Sequence, residues 1–204
     1  MGEPRSCEAA TAFLDGRVIL HAGDCRGFGC IAADPPWMFA TRSEKGKGRS
    51  AEQHYSCMSI DQIKSLSVSE LAAPDCCLFL WVTDPMLAVG LDVIRAWGFT
   101  FKTVGFYWVK TNANGTNFTG MGYYTRANPE QCLLATRGNP KRVSKSVPRL
   151  IVAPRREHSR KPEEFFLRSR ALMRGPYIEL FSREPHDGWE TWGDETSKFG
   201  REPQ

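Results

Sequence analysis

Apolar residues collect in short, nearly continuous runs at 17–21, 30–33, 76–82, 103–109, 131–135, 150–153 and 177–181. Runs of this length, bounded by polar or glycine-rich stretches, read as strands. Several lack the in-out alternation of a half-exposed strand, so they predict a sheet covered on both faces. Helical periodicity between them predicts helices over 59–71, 85–97 and 161–173, with Ser59 as N-cap of the first, Gly98 stopping the second and Gly175-Pro176 the third. Strands alternating with helices define an α/β protein with a doubly wound, mostly parallel sheet. Ligands of such sheets bind beyond the carboxyl ends of the strands, which singles out Asp34 after 30–33, Asp84 after 76–82 and Ser182-Arg183 after 177–181.

Two polar, glycine-rich segments interrupt this pattern and predict functional loops: 42–53, carrying Lys45, Lys47 and Arg49, and 112–128, carrying Tyr123 and Tyr124. At 204 residues, with 41% hydrophobic and 25% charged, the chain predicts a single domain over 1–204 with an ordered core over about 12–195. No window approaches a membrane span, and Glu3, Arg5 and Glu8 do not fit a secretory leader, so a cytoplasmic protein is expected. Seven cysteines without a C-x-x-C pair suit neither zinc nor a disulfide framework; reduced, buried thiols are expected and no metal site. The net charge of +4 is uneven, with basic residues crowding 137–174, which points to a polyanionic partner.

The most specific string is Ala33-Asp34-Pro35-Pro36-Trp37, directly after an apolar run. Its residue types suit a planar amine, whose lone pair is delocalised and whose two N–H bonds must be held. Asp34 can accept one and the Pro35 carbonyl the other, aimed by two consecutive prolines with little backbone freedom to lose. Trp37 is expected to offer a stacking face.

Asp34-Pro35-Pro36-Trp37 resembles the signature of the adenine-N6 methyltransferases that include the catalytic subunit of the eukaryotic messenger-RNA methylation complex and its bacterial and phage relatives. The resemblance continues through Leu78-Phe79-Leu80-Trp81-Val82-Thr83, Trp108-Val109-Lys110-Thr111, Glu130-Gln131-Cys132-Leu133-Leu134, Arg137-Gly138-Asn139-Pro140, His158-Ser159-Arg160-Lys161-Pro162 and Ile178-Glu179-Leu180-Phe181-Ser182-Arg183, covering roughly 17–195. It implies a Rossmann-like, seven-stranded methyltransferase fold with S-adenosyl-L-methionine as donor. It also implies a cofactor site of Asp24 near the adenine, Asp34 at the ammonium, Lys161 at the methionine carboxylate, and Glu179, Phe181 and Arg183 near the ribose. Where relatives have Arg-Pro-His, this chain has Arg183-Glu184-Pro185-His186, and Asp194-Glu195 stand where the messenger-RNA enzyme has Asn-Gln. Tyr55 matches a tyrosine of the loop that closes over the site, and Arg126, Asn128 and Glu130 lie on the segment that borders the substrate in relatives.

A base inside a duplex cannot present its N6 to a buried donor, so the target must be single-stranded or flipped out. Lys45, Lys47, Arg49, Lys141, Arg142, Lys145, Arg149, Arg155, Arg156 and Arg160 are expected to contact phosphates. DNA is favoured over RNA, since no added RNA-binding domain is recognisable and Arg126-Ala127-Asn128-Pro129 resembles the bacterial and phage branch, active in the cytoplasm of a bacterial or phage-infected cell. RNA adenosine methylation, a catalytically silent nucleic-acid-binding subunit, and a homodimer or heteromeric partner stay open.

Overall fold

The computed structural model describes residues 10–14, 17–21, 27–38, 58–122, 124–156 and 160–193. Along the chain run β1 (Ala10–Leu14), β2 (Arg17–His21), β3 (Phe28–Ala33), α1 (Ile60–Ser65), α2 (Val68–Leu71), β4 (Ala72–Val82), a 3-10 turn (Asp84–Met86) and α3 (Leu87–Ala96). Then follow β5 (Thr100–Thr111), β6 (Glu130–Arg137), β7 (Leu150–Pro154), α4 (Glu163–Leu172), β8 (Tyr177–Leu180) and β9 (Trp189–Trp192). Seven strands form one sheet in the order β7-β5-β6-β4-β3-β8-β9. Only β6 is reversed: it pairs antiparallel with β4 and β5, whereas β3/β4, β3/β8, β5/β7 and β8/β9 are parallel. The expected mostly parallel α/β sheet is therefore present.

Alternate residues of β4 feed two cores. Leu78, Leu80 and Val82 join a cluster with Ile63, Val93, Ile94 and Trp97 on the α1–α3 side. Cys77, Phe79 and Trp81 join the cluster on the α4 side. There Phe165 is the hub, its ring centroid 5.7 Å from Phe79, 5.1 Å from Trp81 and 5.6 Å from Phe106, all edge-on as aromatic quadrupoles prefer. On the other face α3 approaches β4 through Gly90, where a Cβ would stand 2.6 Å from Val82 Cγ1. A strand buried on both sides has no polar face, which is why β4 reads as an unbroken apolar run.

Three expectations are corrected here. Residues 17–21 do form a strand, but it pairs antiparallel with β1 in a separate two-stranded sheet. The seventh strand of the main sheet is instead β9, whose four residues, two tryptophans around Glu190 and Thr191, do not alternate and are too short for periodicity to flag. The helix expected over 59–71 is two helices, broken where Leu66 turns extended (φ −63°, ψ 133°). The Ser65 hydroxyl donates to the Gln62 carbonyl at 2.8 Å, a local bond that competes with helix continuation. Ser59 does cap, through a reciprocal capping box in which Gln62 N donates to Ser59 Oγ at 3.2 Å and Ser59 N donates to Gln62 Oε1 at 2.8 Å.

Cys30, Cys76, Cys77 and Cys132 are buried free thiols. Burial pushes each of them up, Cys76 to about 12, which keeps them protonated and inert. Among the described residues no helix is long and apolar enough to cross a membrane.

Candidate active site

Because β3, β4 and β8 run parallel, Asp34, Asp84 and Ser182-Arg183 emerge at the same edge of the sheet. The reversed β6 begins at that edge too, so it presents Glu130 there and brings the 112–128 segment with it. Lys161 sits one residue before Pro162, the N-cap of α4, and the Phe165 hub one turn later fixes where it enters.

These elements assemble a buried chain of alternating charges. Lys161 Nζ lies 2.7 Å from Asp34 Oδ2 and 3.2 Å from Glu130 Oε2, and Lys110 Nζ pairs with Glu130 Oε1. The two ammonium groups also lie over indole rings, Lys161 5.2 Å from Trp81 and Lys110 5.1 Å from Trp108, where the ring quadrupole favours a cation. For Glu130, burial alone would raise the carboxyl, but Lys161 and Lys110 together outweigh it and hold the group down to about 2. Asp34 has one close ammonium rather than two. There burial wins, Lys161 opposes it, the nearby Glu130 charge adds to it, and the carboxyl is raised. For Lys161, burial favours the neutral form, but the two carboxylates prevail and keep it protonated far above neutral pH.

The Asp34-Pro35-Pro36-Trp37 turn is fastened at both ends. Trp37 N donates to Pro35 O at 2.8 Å, closing a three-residue turn around Pro36, and Met58 N donates to Pro36 O at 3.2 Å. The Pro35 carbonyl thus keeps one lone pair for a further donor. The stacking face expected of Trp37 is not exposed. The residue is 5% exposed, belongs to the α1–α3 core cluster and donates its indole N–H to the Trp81 carbonyl at 3.1 Å. Trp37 is the peg that holds the turn: its ring is buried in the core and its N–H is satisfied by a carbonyl at the end of β4.

At the end of β8, Glu179 is buried and its Oε2 accepts the Ser182 hydroxyl at 2.7 Å. Burial pushes its carboxyl up to about 8 against the Ser182 hydrogen bond, and the charge of Asp34 adds to the rise. Phe181 adopts φ 64°, unusual for a bulky residue, and this turn brings Ser182 N to Trp192 O at 3.1 Å. Strain of this kind concentrates at ligand sites.

On the 112–128 segment Tyr124 is 94% exposed, again with positive φ (66°), and Arg126 is exposed. Asn128 acts as a clamp on this segment. Its Oδ1 accepts Lys110 N at 2.8 Å, and its Nδ2 donates to Lys110 O at 2.9 Å and to Phe118 O. Glu130 is likewise committed to Lys110 and Lys161. Asp24, Lys45, Lys47, Arg49, Tyr55, Tyr123, Asp194 and Glu195 lie outside the described residues.

The basic set divides. Arg156 and Arg160 share the single carboxylate of Glu184, which leaves the trio with one net positive charge. Arg149 donates to the Thr103 hydroxyl at 3.2 Å, and Arg155 lies 4.7 Å over the Phe118 ring. Lys141 and Arg142 follow the Arg137 end of β6, opposite Asp34; their neighbour Asn139 donates its N–H to Asp75 Oδ1, and Val143 N donates to Leu172 O near the end of α4. The six steps from Cys76 to Val82 on β4 put roughly 20 Å between the two edges, at about 3.3 Å per residue. The sequence alone assigns no role to Lys110, Trp81 or Glu184, although Lys110 and Trp81 lie within the segments that resemble the family and Glu184 stands out as the inserted residue.

An acid and an ammonium paired at the carboxyl edge of an α/β sheet suit a zwitterionic ligand end. Asp34 complements an ammonium and Lys161 a carboxylate, the donor set that the methionine part of S-adenosylmethionine requires. Fold and site together define an S-adenosylmethionine-dependent methyltransferase. The chain belongs to the MT-A70 family, whose model matches residues 28–195. It is similar to the type II methyltransferase M.MunI of Mycoplasma sp, at 30% identity over 181 residues, covering 80% of this chain and 75% of that protein. An N(6)-adenosine-methyltransferase MT-A70-like protein of Arabidopsis thaliana is 33% identical over 174 residues, covering 82% of this chain but 24% of its own length. The human N(6)-adenosine-methyltransferase catalytic subunit METTL3 is 31% identical over 169 residues, covering 81% and 27%. The chain thus spans most of the bacterial relative and about a quarter of these two eukaryotic ones.

Proposed function

We propose that this protein methylates N6 of adenine in nucleic acid, with DNA as the favoured polymer and the cytoplasm of a bacterial or phage-infected cell as its place of action. The observation that carries the reading is the Asp34–Lys161 pair at the end of β3, 2.7 Å apart beside a carbonyl with a free lone pair. The extensive match to a type II methyltransferase supports DNA over RNA.

When bound, S-adenosylmethionine supplies an electrophilic methyl on a sulfonium. The residues of this chain supply position and charge. Lys161 holds the methionine carboxylate, and Asp34 faces the cofactor's ammonium. Asp34 and the Pro35 carbonyl accept the two N–H bonds of the adenine amine, orienting its lone pair and stabilising the positive charge that develops on nitrogen. The amine need not be deprotonated first. Its proton is lost after the methyl has moved, so a strong base is unnecessary and a paired Asp34 suffices. Lys161 keeps Glu130 as partner while Asp34 turns to ligands, so no bare charge is stranded. With Trp37 buried, the exposed Tyr124 takes the stacking role in this reading.

The test is incubation with methyl-labelled cofactor and separate DNA, RNA and protein acceptors, followed by digestion of the product to nucleosides. Label in N6-methyldeoxyadenosine is the expected result. Label in the ribonucleoside reassigns the polymer, and cofactor binding without transfer to any acceptor identifies a silent subunit.

A further inference from the structure

Glu184 stands in the turn between β8 and β9, 8% exposed, at the position where this chain departs from the Arg-Pro-His pattern of the family it resembles. Its carboxylate accepts Arg160 Nε at 2.8 Å and Arg160 Nη2, and pairs with Arg156 Nη1 at 3.1 Å. The same Arg156 Nη1 donates to the carbonyl of Lys161 at 3.2 Å. The Glu184 carbonyl lies 2.8 Å from the Ser182 hydroxyl, whose single proton it shares with Glu179 Oε2. Two arginines flanking the segment that delivers Lys161 are thus gathered on one carboxylate from the opposite side of the site, and one of them extends the hold to the Lys161 backbone.

Removing three charges from water to make such a cluster is poor value as stability alone; clusters of this kind are better attested as devices that set registry. Lys161 has a particular need for one. Its ammonium is held by Asp34 and Glu130, and when Asp34 turns to the cofactor only Glu130 of the two keeps its hold. The hold on the Lys161 backbone is untouched by that exchange.

We propose that Glu184 is a positioning residue for the cofactor: through Arg156 and Arg160 it sets the place of Lys161 and so the affinity for the methionine carboxylate. This rests on the reading of Lys161 given above. The test compares two ligands by titration calorimetry: S-adenosylhomocysteine, which carries the amino-acid end, and 5′-methylthioadenosine, which lacks it. Glu184→Gln should weaken S-adenosylhomocysteine about 10-fold or more, the usual scale for a lost charge-assisted hydrogen bond, and leave 5′-methylthioadenosine within about twofold. Glu184→Asp should recover part of the loss. Arg156→Lys, which keeps the charge but not the two-way guanidinium bridge, should reproduce the selectivity even if Glu184→Gln folds poorly. Equal weakening of both ligands in the variants, or unchanged binding of S-adenosylhomocysteine, overturns the proposal. Lys161→Ala separates the two levels: if it binds S-adenosylhomocysteine like the wild type, the role of Lys161 itself is wrong, whereas selective loss in Lys161→Ala alone removes only Glu184.

Discussion

Asp34 is the residue on which the chemistry turns, and its surroundings let it be removed cleanly. Lys161 retains Glu130 at 3.2 Å when Asp34 is gone, so Asp34→Ala strands no cation. The variant should keep a melting temperature close to wild type while turnover falls about 100–1,000-fold, the scale seen when one preorganised transition-state contact is deleted. A single-turnover assay with labelled cofactor, alongside thermal melting, checks both halves. Glu179 behaves differently because its carboxyl is pushed up to about 8. A buried acid with a raised pKa folds most favourably while protonated, so its contribution is intact below the ordinary carboxylate range and is lost as pH climbs towards 8. Glu179→Gln should therefore raise the melting temperature relative to wild type at pH 8.5 and change it little at pH 5.5. An equal shift at both values would contradict the buried, neutral carboxyl. Glu130 has the opposite sign. Held down to about 2, it stabilises the fold above the ordinary carboxylate range and loses that contribution as acid approaches 2, so Glu130→Gln should cost most at neutral pH and least near pH 3.

At the level of elements, the loop of residues 112–128 and helix α4 carry the site between them. Asn128 holds the base of the loop to both backbone groups of Lys110, so Asn128→Ala removes the side-chain acceptor of the Lys110 N–H and one of the two donors to its carbonyl, which keeps Phe118 N, at a cost of about 1–3 kcal/mol. Faster amide exchange at Lys110 and weaker oligonucleotide binding are expected, with cofactor affinity little changed. Phe165 anchors α4 in the aromatic cluster, and Phe165→Ala should cost about 3–5 kcal/mol, read from denaturant unfolding. Elements of this length were legible in sequence where burial leaves a mark. Strands β4 and β8 are apolar because both faces are covered, and Asp34 was visible because a polar residue closes such a run. The break at Leu66 was not, since Leu66 and Val68 both turn to the core and the apolar pattern continues across it. Nor could any local signal reveal that Glu130 and Lys161 meet: they belong to separate elements joined only by tertiary packing.

For the whole molecule, the reversal of β6 decides which charges face the substrate. Lys141 and Arg142 were expected among the phosphate contacts, and composition could not have excluded them, because charge counts carry no information about which end of a sheet a loop occupies. They lie at the edge away from Asp34. Replacing both by Glu should leave kcat/KM within about twofold on a substrate shorter than about six base pairs, which spans roughly 20 Å at 3.4 Å per step. A large loss on so short a substrate would place them at the mouth after all.

The alternating chain of Asp34, Lys161, Glu130 and Lys110 adds to zero charge, and so does the amino-acid end of the cofactor that Asp34 and Lys161 fit. Seating that end on the set moves no net charge between chamber and solvent, and the sulfonium adds a single positive charge, so salt has little hold on the cofactor. A polyanion sheds condensed counterions as it binds. Raising the salt should therefore peel the nucleic acid away from an enzyme that stays loaded, so that ionic strength alone can meter encounters with the target without emptying the reservoir of methyl groups already on board.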